Sequence, residues 1–178
     1  MLKPLVISGL VTSLLGFSLP SFASDGTITI SGSITDTTCT ISISGSGGAD
    51  ATVTLPPTSK STLKTANSTA GATPFTVSLG GTAATCTDGK LAKMYFDGGD
   101  INYVTGNLKN TGTAPNVEVQ LVNGDGTAIK IGDISTIKGA TIAGNKATIV
   151  YAARYISPAG NAGSGNVTSK VTYSMTYN

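Results

Sequence analysis

The chain has no His and no Trp, and charged residues make up only 11% of its 178 positions. Without an imidazole, Ser-His-Asp and Cys-His mechanisms, His-ligated zinc and a base titrating near neutrality are excluded. Basic and acidic residues number 11 and 9, for a formal net charge of +2, and Arg154 is the only Arg. That is too little positive charge to neutralise a row of phosphates, so no nucleic-acid partner is expected. Helix-favouring Glu, Lys, Arg and Leu are sparse. What is present is Gly, at 23 positions, with many Thr, Ser, Val and Ile residues, a composition of strands and turns. With 39% hydrophobic residues and low charge, the chain does not have the make-up of a disordered segment. An all-β protein is the expectation.

Long apolar runs are also scarce; there is one. Lys3 precedes a mostly apolar stretch from Leu5 to Leu19, and Pro20 is followed by Ser21-Phe22-Ala23, with small residues at the −3 and −1 positions. This is the pattern of a secretory signal peptide over residues 1–23, cleaved after Ala23. A membrane anchor needs about 20 predominantly apolar residues, and this run is shorter. Residues 24–178 amount to one domain. Its two cysteines, Cys39 and Cys86, are most simply one disulfide in an exported protein. A metal site would need a CxxC spacing or a His, and neither is there.

Period-two alternation runs through the remainder. Ile28, Ile30, Gly32 and Ile34 share one phase; Cys39, Ile41 and Ile43 share another. A short strand carrying Val53 and Leu55 stops at Pro56-Pro57, residues 59–73 read as a polar loop, and Phe75, Val77 and Leu79 form the next strand. Met94 and Phe96 follow, then Val117, Val119 and Leu121 alternating with Glu118 and Gln120. Asn123-Gly124-Asp125-Gly126 signals a hairpin whose partner strand holds Ile129 and Ile131. A β-rich stretch from Ala147 to Ile156 and a terminal strand complete seven or eight short strands, the count of a β-sandwich.

No catalytic, cofactor-binding or metal site emerges. Asp97-Gly98-Gly99-Asp100 lacks the ligand series and closing Glu of a calcium loop, and reads as a polar turn. Gly45-Ser46-Gly47-Gly48 precedes no helix whose N-terminus would hold phosphate. Asn67-Ser68-Thr69 and Asn166-Val167-Thr168 match the glycosylation acceptor pattern, which a Thr-rich chain produces by chance. No pair of carboxylates is set for acid–base work.

The two ends carry the most information. Val167, Ser169, Val171, Tyr173, Met175 and Tyr177 occupy one phase of the final strand, and Thr168, Lys170, Thr172, Ser174 and Thr176 the other. On this pattern alone, the strand either closes a complete sandwich or borders an open one. Near the other end, Gly32 interrupts an otherwise Ile-rich phase, and Gly weakens a strand interior unless another group approaches closely there.

These segments, in order, resemble the pilin subunits of chaperone–usher fimbriae, the type 1-like major fimbrial subunits of Gram-negative bacteria. The matching pieces are Gly26-Thr-Ile-Thr-Ile-Ser-Gly32-Ser-Ile-Thr-Asp-Thr-Thr-Cys39, Pro74-Phe-Thr-Val-Ser-Leu79 before Cys86, Asn116-Val-Glu-Val-Gln-Leu-Val-Asn-Gly-Asp-Gly126, Ala153-Arg154-Tyr155 and a terminal strand with penultimate Tyr177. One departure is the run of residues 80–85, which is slightly extended.

The resemblance implies an incomplete immunoglobulin-like β-sandwich, residues 36–178, completed by donor-strand exchange. Residues 24–35 would be the donor extension, with Ile28, Ile30 and Ile34 as inserted side chains and Gly32 over a shallow position. Val171, Tyr173, Met175 and Tyr177 would line one wall of the acceptor groove and the strand starting at Cys39 the other. Implied partners are identical or related pilin subunits in a head-to-tail polymer, a periplasmic chaperone and an outer-membrane usher. The implied destination is a fimbrium on the surface of a Gram-negative cell, reached through the periplasm and serving adhesion. The expected function is that of a shaft subunit, not an enzyme; a minor or adaptor pilin is the alternative. A glycan-binding adhesin fits less well, since no lectin domain precedes the pilin domain and there is no Trp to stack on a sugar.

Overall fold

A computed structural model describes residues 39–44, 46–80 and 86–178. The expected signal peptide, residues 1–23, and donor extension, residues 24–35 with Ile28, Ile30, Gly32 and Ile34, lie outside the described residues. The described residues form nine strands: β1 (Ile41–Ile43), β2 (Ser68–Gly80), β3 (Leu91–Gly99), β4 (Ile101–Asn102), β5 (Asn107–Lys109), β6 (Glu118–Asn123), β7 (Ala140–Thr141), β8 (Lys146–Ser157) and β9 (Val171–Tyr177). Two 3-10 turns, Lys60–Leu63 and Ile134–Thr136, interrupt the connections. One sheet has the order β1-β2-β8-β6-β5-β4 and the other β7-β3-β9. These strands pair antiparallel throughout, and the two sheets share one core.

Alternation decides which side chains enter that core. Phe75, Val77 and Leu79 from β2, Ala147, Ile149, Tyr151 and Ala153 from β8, and Ala92, Met94 and Phe96 from β3 are all buried. Residues i and i+2 of a strand share a face, so the Thr and Ser between them turn outward. Tyr151 lies at the centre, its ring edge-on to Phe96 and tilted against Phe75, with centroids 5.7 and 5.9 Å away. Its hydroxyl donates to the Lys138 carbonyl at 2.7 Å and accepts the Met94 N–H at 3.4 Å. A phenol on one sheet is thereby bonded to the backbone of the other, which satisfies a polar atom that would otherwise be stranded in the core.

The outer face of the larger sheet holds an unusual polar array. Glu118 accepts from Asn102 Nδ2 at 2.6 Å, Asn107 Nδ2 at 2.9 Å and Thr105 Oγ1 at 2.8 Å. Gln120 donates to Asn107 Oδ1 at 3.2 Å and accepts both Nε and Nη2 of Arg154, at 2.9 and 2.7 Å. Neutral amides therefore surround the chain's only Glu and its only Arg.

Three local expectations need correction. The polar stretch 59–73 is not one loop: its second half is the start of β2, which pairs with β8 from Ser68↔Ser157 and changes register between Ala70 and Thr73. Gly71, with φ +66°, sits in that irregularity. The alternation across Glu118 to Leu121 also does not translate into one wet face, because Gln120 is buried by its bonds to Arg154 and Asn107. Beyond the Asn123–Gly126 turn, Ile129 and Ile131 are buried, but only the Val122↔Ala128 bridge joins that segment to β6. Two backbone bonds flank that bridge, from the Asn123 N–H to the Thr127 carbonyl and from the Ile129 N–H to the Leu121 carbonyl, both 2.9 Å, so the hairpin pairing is short and side-chain burial continues it.

Cys39 and Cys86 are bonded, with Cα atoms 4.8 Å apart and a separation of 47 positions in sequence. Both are buried. Asp97 and Asp100 are engaged by the terminal segment: Ser174 Oγ donates to Asp97 at 3.3 Å and the Lys170 N–H to Asp100 at 2.8 Å. Between them Gly99 has φ +105°, and a Cβ there would stand 2.3 Å from the Lys170 carbonyl oxygen. The turn is built to admit the start of β9, not to surround an ion.

Candidate functional site

The terminal strand β9 is an edge. Among the described residues it pairs only with β3, from Gly99↔Val171 to Ala92↔Tyr177. Its inward phase, Val171, Tyr173, Met175 and Tyr177, is half-buried against the core, whereas the core-facing residues at the centres of β2, β3 and β8 are buried outright. The structure thus brings together all four residues expected to line the groove.

Facing them runs the strip of residues 39–57, antiparallel to the terminal segment. At one end the Tyr177 phenol lies beside the Cys39 backbone. Ile41, Ala49 and Asp50 stand opposite Val171, Tyr173 and Met175 across a cleft of about 360 Å³. The Tyr173 hydroxyl donates to the Ala49 carbonyl at 2.7 Å. Farther along, Leu55, Pro57 and Leu63 face Val167 and Thr168 across a second cleft, of about 610 Å³. Ser169 lies between the two clefts in sequence and in phase with Val167 and Val171. Its hydroxyl is buried without a hydrogen-bond partner among the described residues.

The far wall is thus more than the strand that starts at Cys39. Strand β1 occupies only Ile41–Ile43 and pairs with Val77–Leu79 of β2. The rest of the wall is the extended segment with Val53 and Leu55, expected to be a short strand. Among the described residues it joins no sheet, and positions 50–58 make no backbone–backbone hydrogen bond. Val53 and Leu55 still pack on the core, so their side chains are those of a strand whose backbone has no described neighbour. Sequence alternation finds such a segment but does not reveal how its backbone pairs. The roles of Ala49 and Ser169 escape sequence reasoning for the same cause: nothing local marks either residue.

Among the described residues, the outer edge of β9 and positions 50–58 have no ladder partner, and an apolar surface lies between them. Edges of this kind are what an added strand binds.

A family model described as Type-1 fimbrial protein, A matches residues 55–178. The chain belongs to that fimbrial protein family. The major fimbrial subunit SMF-1 of Stenotrophomonas maltophilia is 38% identical over 170 residues, spanning 90% of this chain and 96% of the relative. The minor fimbrial subunit HifD of Haemophilus influenzae is 32% identical over 175 residues, spanning 90% and 78%. Among solved structures, a chaperone–usher pilus reported to reveal the molecular basis of rod uncoiling superposes with a TM-score of 0.54. It shares 19% identity and covers 90% of this chain and 100% of that one. The fold of this fimbrial subunit is therefore the immunoglobulin-like one of chaperone–usher pilins, and its relatives are structural fimbrial subunits.

Electrostatics of the fimbrial subunit's groove are mild and set by burial. Burial raises the Tyr173 phenol above its ordinary value, and the nearby Asp50 and Tyr177 add to the shift. Burial also raises Tyr177, with the Cys39 backbone opposing it, and raises the central Tyr151, with the Met94 N–H opposing it. A phenol whose folded value lies above its unfolded value of about 10 adds no penalty below that pH. Above it the unfolded chain ionises first, so stability falls. Alkaline titration followed by tyrosinate absorbance and circular dichroism should show a late-ionising group of tyrosines, appearing together with unfolding. All tyrosines titrating as one near the ordinary value, with the fold intact, would contradict the burial.

Proposed function

We propose that this protein is the shaft subunit of a chaperone–usher fimbria and polymerises by donor-strand exchange. Residues 24–35 of one subunit enter the slot of the next, between β9 and the strip of residues 39–57. The observation that carries this reading is the pair of facing, unladdered backbone edges over a half-buried Val171-Tyr173-Met175-Tyr177 floor. Nine residues from Thr27 to Thr35 reach about 30 Å at roughly 3.3 Å each, enough to run the length of such a slot. Burying Ile28, Ile30 and Ile34 contributes on the order of 5–9 kcal/mol before ordering costs.

A subunit that accepts one extension and donates another makes a heterologous contact at each step, which propagates as an open filament. Before assembly, a periplasmic chaperone would lend its own strand to the slot, and an outer-membrane usher would exchange it for the next subunit's. The signal peptide, residues 1–23, provides export to the periplasm, and the fibre on the cell surface supports adhesion. Relatives named as major and as minor subunits both align over most of this chain. The major subunit is the more similar of the two, at 38% against 32% identity, which favours the shaft.

Electron microscopy of cells with and without the gene tests the role. Loss of the whole shaft is expected. Shafts of normal length and number lacking only a tip or joint would assign the chain to a minor position instead.

A further inference from the structure

Two polar atoms bordering the cleft beside β9 differ in how the described residues serve them. The Ala49 carbonyl has no backbone partner among the described residues, yet it is satisfied by a side chain 124 positions away, the Tyr173 hydroxyl at 2.7 Å. The Ser169 hydroxyl, on the same face of the terminal segment, is buried and satisfied by none of the described residues. Resting on the strand-uptake reading, we infer that Tyr173 is a stand-in donor: its hydroxyl holds the Ala49 carbonyl while the slot is empty and yields that acceptor to a backbone N–H of the incoming strand.

The chemistry favours the exchange. Ala49 lies at the end of the bend that follows β1, bordering the cleft beside β9. A strand added there would use free backbone carbonyls as acceptors, and leaving one unpaired as the cleft dehydrates would be costly. The phenol fills the need in advance and ties the loose strip to β9. Its bond lies in an exposed setting, so once displaced the hydroxyl can return to water with little loss. Ser169 gains in the same step, because a strand lying between the walls brings the partner it lacks. Tyr173 therefore acts as a positioning residue whose contact must be released for the strand to seat.

The test uses the refolded, disulfide-intact mature chain at low concentration and an excess of labelled synthetic peptide with the sequence of residues 24–35. Wild-type protein should take up the peptide; failure to do so would overturn the strand-uptake reading itself, and this inference with it. Given uptake, Tyr173→Phe keeps the ring and removes the donor, and uptake should be about three- to tenfold faster. The release rate of the seated peptide should be unchanged, since the phenol is no longer bonded there. Equal uptake rates, or faster release from the variant, would overturn the stand-in role. If the variant does not fold, NMR of ring-labelled tyrosine in the wild-type chain decides: the Tyr173 hydroxyl signal should move when peptide binds. A signal that stays put would overturn the inference.

Discussion

A Gly32→Leu subunit is expected to fold, form its Cys39–Cys86 bridge and fail to polymerise. The Ile-rich extension offers a slot three large side chains and one bare position, and a bare position in a strand implies close approach of something else. Leu there would overpack a fitted site, at about 1–3 kcal/mol, slowing strand exchange by about 5- to 150-fold. Native gels of chaperone-bound variant subunits mixed with wild-type subunits measure this directly. Exchange at the wild-type rate would remove residues 24–35 from the donor role. Loss of the folded subunit itself would place them in its own core.

Removing the disulfide should act on accumulation instead of assembly. A bridge closing a loop of 47 positions is worth roughly 4 kcal/mol in the chain-entropy model, against a total of about 5–15 kcal/mol for a typical domain. Its placement raises the stakes. Cys39 begins the strip of residues that faces β9, beside the Tyr177 phenol, so the bridge fixes that strip at one end. A Cys39→Ser, Cys86→Ser double variant should be nearly absent from periplasmic extracts by immunoblot, with fibres lost in proportion. Normal subunit levels would show that the sandwich does not depend on this anchor.

Much of this architecture is legible in the amino-acid pattern alone. Phe75, Val77 and Leu79, and likewise Met94 and Phe96, alternate cleanly because each lies on a strand with one face in the core. The same rule reveals the terminal strand and the half-buried phase of Val171, Tyr173, Met175 and Tyr177. Where it fails, the cause is long-range. Ser68 to Thr73 is polar enough to read as loop, yet β8 lies beside it and supplies the ladder. Val53 and Leu55 alternate like a ladder strand, yet no described strand pairs with them. Gln120 is polar and should face water, but Arg154 and Asn107 close over it. Pairing partners are non-local facts, and period-two patterning reports only which face is apolar. The apolar phase of β9 can therefore be read from sequence, whereas the segment facing it and the Tyr173–Ala49 contact cannot.

The amide array around Glu118 has a consequence for where such a protein can work. Its carboxylate is held by Asn102, Asn107 and Thr105, and Arg154 by Gln120, so neither charge depends on an opposite charge. Among the described residues the one ion pair is Lys138 with Asp125, and both are well exposed. Dissolved salt weakens attraction between exposed charges across a Debye length of about 8–10 Å, but it has little hold on bonds between neutral amides and a carboxylate in contact. Screening by dissolved salt should thus change the stability of this sheet face little, even where the surrounding medium varies in ionic strength.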